Sequence, residues 1–184
     1  MPHSELTPLS RLDPFADEDE HVNVVVETAR GDRNKLSYDE DLQIFRLKKV
    51  LPEGMSFPYD FGFVPSTLAE DGDPLDALVL MDEPATPGCL VVCRLIGVIE
   101  GKQRDNGRWI RNDRLIAVAE PSHTHGNLKK LKDLNGTLLK ELEEFFVNYH
   151  ALEGNKYRLI GCNGPKHAQA LLDGAIKSFR KKHR

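Results

Sequence analysis

Residues 70 to 80 read Glu-Asp-Gly-Asp-Pro-Leu-Asp-Ala-Leu-Val-Leu. Asp71, Asp73 and Asp76 fall within six residues, and an apolar run follows at once. Carboxylates this close repel: at about 4 Å and an effective dielectric near 20, two like charges cost on the order of 4 kcal/mol. A chain lowers that cost by holding a cation, by keeping a proton, or by splaying the side chains into water. A cation held there would be hard and oxygen-loving, such as Mg2+. Gly72 permits a tight turn and Pro74 fixes one backbone dihedral, so the carboxylates are presented stiffly at a strand entrance. The peptide is not an EF-hand, which needs a further ligand at position 5, where Leu75 stands, and a Glu at position 12. Spacing alone fits both a metal site and an acidic surface turn.

Groups elsewhere would complete a phosphate site: Lys35, Lys48, Lys49, Arg114 and Tyr149. Basic side chains cradle phosphoryl oxygens, while a metal neutralises charge that develops during transfer. Each of these cations, taken alone, also fits a solvated surface. No Walker glycine loop and no dinucleotide fingerprint is present. His123 and His125 would share one face of a strand, but no third ligand stands at zinc spacing.

These residues must be positioned by a fold, and its elements are partly visible. Val22 to Thr28, Leu42 to Leu51, Ala77 to Met81, Leu90 to Ile99, Arg114 to Ala119 and Tyr157 to Cys162 read as strands, punctuated by Pro-Gly, Asp-Gly and Asn-Gly pairs. Leu138, Leu139, Leu142, Phe145, Phe146 and Tyr149 recur with helical period. Ala168, Leu171, Leu172, Ala175, Ile176 and Phe179 do the same, with Pro165 suited to a first turn. Strands first and helices last predict an α+β fold, a curled antiparallel sheet or small barrel with helices against it. Residues 1–21 hold Pro2, Pro8, Pro14 and an acidic run and read as a flexible N-terminal arm, leaving 22–184 as the domain.

The chain has 184 residues, 40% hydrophobic and 29% charged, which is enough for one domain with a real core. A net charge of −4 gives no global field that draws nucleic acid, and the basic C-terminal tail suits the end of a helix. No apolar stretch approaches membrane-spanning length, and no signal-peptide pattern opens the sequence. Cys89, Cys93 and Cys162 lack zinc spacing and read as buried free thiols of a cytoplasmic protein.

Asp71-Gly72-Asp73-Pro74-Leu75-Asp76 with its apolar continuation resembles the signature of the soluble family I inorganic pyrophosphatases. The resemblance extends over most of residues 22 to 180. Val24-Val25-Val26-Glu27 is similar to the family's first strand and its acidic residue, and Lys35 to the substrate lysine that follows. Phe57 to Pro65, Pro87-Gly88, Gly97-Val98-Ile99, Arg114 to Val118 and Phe145 to Tyr149 resemble later landmarks in order. The resemblance implies an OB-like five-stranded β-barrel with packed C-terminal helices. It implies hydrolysis of pyrophosphate by a water activated by Mg2+. Asp71 and Asp76 would bind metal with Glu27, Asp73 would orient or deprotonate the water, and Lys35, Lys49, Arg114 and Tyr149 would grip phosphate. It implies no nucleic-acid or membrane partner, and a homo-oligomer, a hexamer built from trimers.

The departures from the family pattern fall on the site. Ser37 stands for an acid, Lys49 for an arginine, Phe57 and Phe61 for tyrosines, Arg114 and His150 for lysines. Strict alignment puts Asn112 on one of two further metal aspartates, with Asp113 one residue away. Asp105, or Glu100, would be the other acid. Fewer anionic ligands and fewer hydroxyls keep two alternatives open. One is a hydrolase of another small phosphoanhydride, such as triphosphate or short polyphosphate. The other is a catalytically weak phosphate-binding homologue.

Overall fold

A strand with alternating apolar residues must bury one face, and here the burial is achieved by closing a ring. The computed structural model describes residues 7–17 and 21–184. Its strands are β1 (Val22–Thr28), β2 (Asn34–Asp39), β3 (Ile44–Val50), β4 (Asp60–Val64), β5 (Leu75–Leu80), β6 (Leu90–Asp105), β7 (Arg108–Arg111), β8 (Arg114–Ala119) and β9 (Tyr157–Asn163). The helices are α1 (Gly136–Leu152) and α2 (Pro165–Lys182). Strands β1, β4, β5, β8 and β6 are neighbours in that order, and β6 pairs back with β1. The expected five-stranded barrel is therefore present. All ring pairs are antiparallel except β5 with β8.

Alternation sorts the side chains into two apolar clusters. One draws on all five ring strands, including Val24, Val64, Val79, Leu95 and Leu115, and takes in Ala168, Leu172 and Ile176 of α2. The other uses the opposite faces of β4, β5, β6 and β8, including Leu78, Ile96 and Ile116, and is covered by Leu142, Phe146 and Tyr149 of α1. Full burial of such a side chain contributes roughly 1.5–3 kcal/mol. Helix α1 starts at Asn135, whose side chain accepts the N–H of Thr137 at 2.9 Å. Gly62 is required where β4 crosses β1, because a Cβ there would overlap the Val25 carbonyl.

Strand β6 runs past the ring. Its second half pairs with β7 through the turn at Asn106 and Gly107, both at positive φ, and with β9 on its other edge. Trp109 lies exposed on β7, with the Arg158 guanidinium 5.2 Å over its ring. The β2–β3 hairpin stands as a separate two-stranded sheet. Residues 7–17 lie beside it: the Leu9 N–H donates to the Tyr38 hydroxyl at 3.2 Å and Ser10 Oγ to Glu40 at 2.7 Å. The rest of the expected flexible arm, residues 1–6 and 18–20, lies outside the described residues.

The cysteines need one correction. Cys93 is buried, but Cys89 is exposed and Cys162 half-buried, all three as free thiols. Cys89 precedes β6 on the Pro87–Gly88 turn, outside the ring that buries Cys93.

Candidate functional site

A polar cavity of about 370 Å³ opens where β1, β5 and β8 meet the β2–β3 hairpin and the end of α1. The acidic loop forms one wall. Gly72 takes a φ of +92°, the Asp73 N–H donates to Asp71 Oδ1 at 3.2 Å, and the Ala69 N–H to the Asp73 carbonyl at 2.8 Å. Thr67 fixes the exit of the loop: its hydroxyl donates to the Val64 carbonyl and accepts the Leu75 N–H at 2.9 Å. Asp76 then enters β5, in register with Phe63 of β4 and Arg114 of β8. Glu27 sits at a β-bulge that the β1–β4 register skips, and its Oε1 accepts the Tyr38 N–H at 2.7 Å.

The hairpin supplies cations. Lys35 lies directly opposite Lys49, and a second bulge leaves Lys48 between the paired positions. Like charges directly opposite on a sheet destabilise it. Part of that cost is offset: Lys49 Nζ meets Glu153 at 2.7 Å and lies 4.4 Å over the Tyr149 ring, while Lys35 Nζ lies 4.8 Å over Phe61. Tyr149 and His150 come from the last turn of α1, and the Tyr149 hydroxyl is buried without a hydrogen-bond partner among the described residues. Phe57 packs between Phe61, Phe145 and Tyr149, so the two phenylalanines that stand for tyrosines belong to the buried core behind Tyr149 and do not line the cavity.

The charges are strongly perturbed. Burial, with the Asp76 charge adding, pushes Glu27 up to about 7 and Asp71 up to about 6. Burial also raises Asp76, against the pull of Lys35 and Arg114, and lowers Lys35. His150 is driven down to about 3 by burial and then by Arg114, Lys49 and Lys35. Carboxylates that resist ionisation because they are buried and close to one another have the chemistry of a site for a hard divalent cation.

Glu27, Lys35, Lys49, Asp71, Asp73, Asp76, Arg114 and Tyr149 all line this cavity, as the sequence predicts for one site. Asp105 and Asp113 do not line it. Asp113 lies in the link between β7 and β8, where it accepts the Gly101 N–H and pairs with Arg111 at 2.9 Å. Glu100 belongs to that same outer network, with Arg111, Asn163 and His167. Asp105 ends β6, two residues beyond Gln103 and so about 7 Å further out. The residues that do face the cavity are Asn112 and Gln103, joined by a 2.6 Å hydrogen bond from Asn112 Nδ2 to Gln103 Oε1. Sequence reasoning missed Gln103. The Asn106–Gly107 turn was the available signal, because it sets the hairpin register that puts 103 and 112 on one face.

The inorganic pyrophosphatase family model matches residues 24–180. The chain is 39% identical over 159 residues to the inorganic pyrophosphatase of Nostoc sp., covering 86% of this chain and 92% of that one. It is 36% identical over 154 residues to that of Thermus thermophilus, covering 84% and 86%. The crystal structure of the Thermus thermophilus inorganic pyrophosphatase superposes with a TM-score of 0.87 at 32% identity, over 95% of this chain and 99% of that one.

Proposed function

Because the chain belongs to the inorganic pyrophosphatase family, we propose that it hydrolyses inorganic pyrophosphate to two phosphates. The observation that supports this most is the meeting of Glu27, Asp71, Asp73 and Asp76 with Lys35, Lys49, Arg114 and Tyr149 around one cavity. The family's divalent metal fits the donor set, since these are hard oxygen ligands, buried and close enough to raise one another's pKa. Asp71, Asp76 and Glu27 would hold it, and we propose Mg2+ as the ion. When bound, it supplies positive charge against the phosphoryl oxygens and acidifies a water. Asp73, at the exposed tip of the loop, would orient a water and take its proton as the water oxygen bonds to one phosphorus, the anhydride P–O bond breaks and the other phosphate leaves. Lys35, Lys49 and Arg114 neutralise the phosphoryl oxygens, and Tyr149 donates its unpartnered hydroxyl.

Residues 22–184 act as the catalytic unit in this reading, with 1–21 as an appended arm. No helix among the described residues is long and apolar enough to cross a membrane, in keeping with a cytoplasmic enzyme. The test is phosphate release from pyrophosphate with Mg2+, with a chelator, and with Asp73→Asn. Wild-type release should be lost with chelator and fall about 10²–10⁴-fold in the variant, the usual range for a general base. Equal release by wild type and Asp73→Asn across several divalent metals overturns the proposal. A triphosphate substrate that outperforms pyrophosphate would move it to another phosphoanhydride.

A further inference from the structure

Two of the site's departures from the family pattern touch each other. Arg114 is 3% exposed and forms no ion pair among the described residues. Its guanidinium is held instead by rings and neutral acceptors. It lies 4.5 Å over Phe146 and 5.2 Å from the Tyr157 ring centre. Nη1 donates to the Asn112 carbonyl at 2.6 Å and to the Tyr157 hydroxyl at 3.3 Å. Nη2 lies 3.1 Å from His150 Nε2. A guanidinium has five donors and no acceptor, so Nε2 must be the acceptor and the ring proton sits on Nδ1. Protonating Nε2 would remove the acceptor and set two cations in contact.

The imidazole itself is fixed. His150 is 4% exposed, stacks on Tyr157 at 4.5 Å and 9°, and meets the Tyr149 ring edge-on at 5.0 Å. Its Nδ1 has no partner among the described residues, nor has Arg114 Nε. A buried N–H left this way costs stability. Both residues line the cavity, so this corner is arranged for something other than stability.

We propose that His150 is a positioning residue, a neutral acceptor that fixes the rotation of the Arg114 guanidinium so that the second donor on Nη2 meets a phosphoryl group. The proposal rests on the pyrophosphate reading above. It assigns one planar, pre-aligned cation to this corner, where two flexible ammonium groups would otherwise share the work. Gln103 and Asn112 continue the same wall as a second neutral pair.

The test compares His150→Ala, His150→Gln, Arg114→Lys and the Arg114→Lys/His150→Ala double variant, each first checked for an intact thermal transition. His150→Ala should raise KM for pyrophosphate about tenfold, with a smaller effect on kcat. His150→Gln should stay within about threefold of wild type, because its side-chain carbonyl can accept from Arg114. The double variant should be no worse than Arg114→Lys alone, since interacting partners are not additive. A purely structural His150 gives the opposite pattern: Gln no better than Ala, or losses that add, and either result overturns the proposal. Calorimetric titration of inorganic phosphate keeps the two readings apart. A wild type that leaves pyrophosphate intact defeats the proposed reaction. Phosphate affinity lowered by Ala and restored by Gln still supports the role of His150, and unchanged affinity in His150→Ala removes it.

Discussion

Glu27 and Asp71 carry the clearest chemical signature of single residues in the site. Both keep their protons to a pH well above the ordinary carboxylate range, near 7 and near 6. In the unfolded chain both are ionised above about pH 5. Between about pH 5 and 7 the folded state therefore binds more protons than the unfolded one, and these groups make the metal-free protein less stable as pH rises through that window. A divalent cation held by the proposed ligands would take the place of those protons, so Mg2+ should bind weakly below about pH 6 and firmly above 7. Thermal unfolding in chelator should show wild type losing several degrees relative to Glu27→Gln between about pH 5.5 and 8, at roughly 2–4 °C per kcal/mol for a chain of this size. Saturating Mg2+ should abolish that loss. Parallel curves for the two proteins in chelator would remove Glu27 from the metal site.

Among the elements, the β2–β3 hairpin trades stability for binding. Lys35 faces Lys49 across the ladder and is buried enough that its charged form is disfavoured. Lys35→Met should raise the Tm of the metal-free protein by a few degrees while kcat/KM falls on the order of 100-fold; a drop in both would mean that the lysine is structural. Gly62→Ala tests the opposite kind of position. Its methyl has nowhere to go but into the Val25 backbone, so overpacking of about 1–3 kcal/mol should lower Tm by roughly 5 °C or more. The sequence made some elements easy to read and hid others for physical reasons. β1 and β8 are buried at every position and mostly apolar, and their bounds were legible to the residue. β2 is polar and half-exposed, β4 is short with a central glycine, and β7 is four residues long, so none shows a period. β6 continues to Asp105 because its second half pairs with β7 and β9, a tertiary gain that its polar sequence does not advertise. The aspartate loop and its partners were legible through ordered motifs. The Asn112–Gln103 pair was not, because it depends on a hairpin register.

At the scale of the whole molecule, the barrel spends one side on the site and leaves apolar side chains elsewhere. Leu42, Ile44, Leu47 and Val50 are all more than half exposed on one hairpin. Such a surface is costly in a lone chain, and we propose that the protein is a homo-oligomer, with a hexamer as the expected state. Multi-angle light scattering should give a mass near six times the 20.7 kDa chain; a single-chain mass at micromolar concentration would refute assembly. The hairpin that carries Asn112 and Gln103 has one more consequence at this scale. The sequence holds a single tryptophan, Trp109, and it rides on β7 three residues before Asn112, half open to water with Arg158 against its face. All indole emission therefore comes from one known place, the face of β7 turned away from Gln103 and Asn112. The molecule carries its own optical gauge of that hairpin, legible in a fluorimeter without a dye.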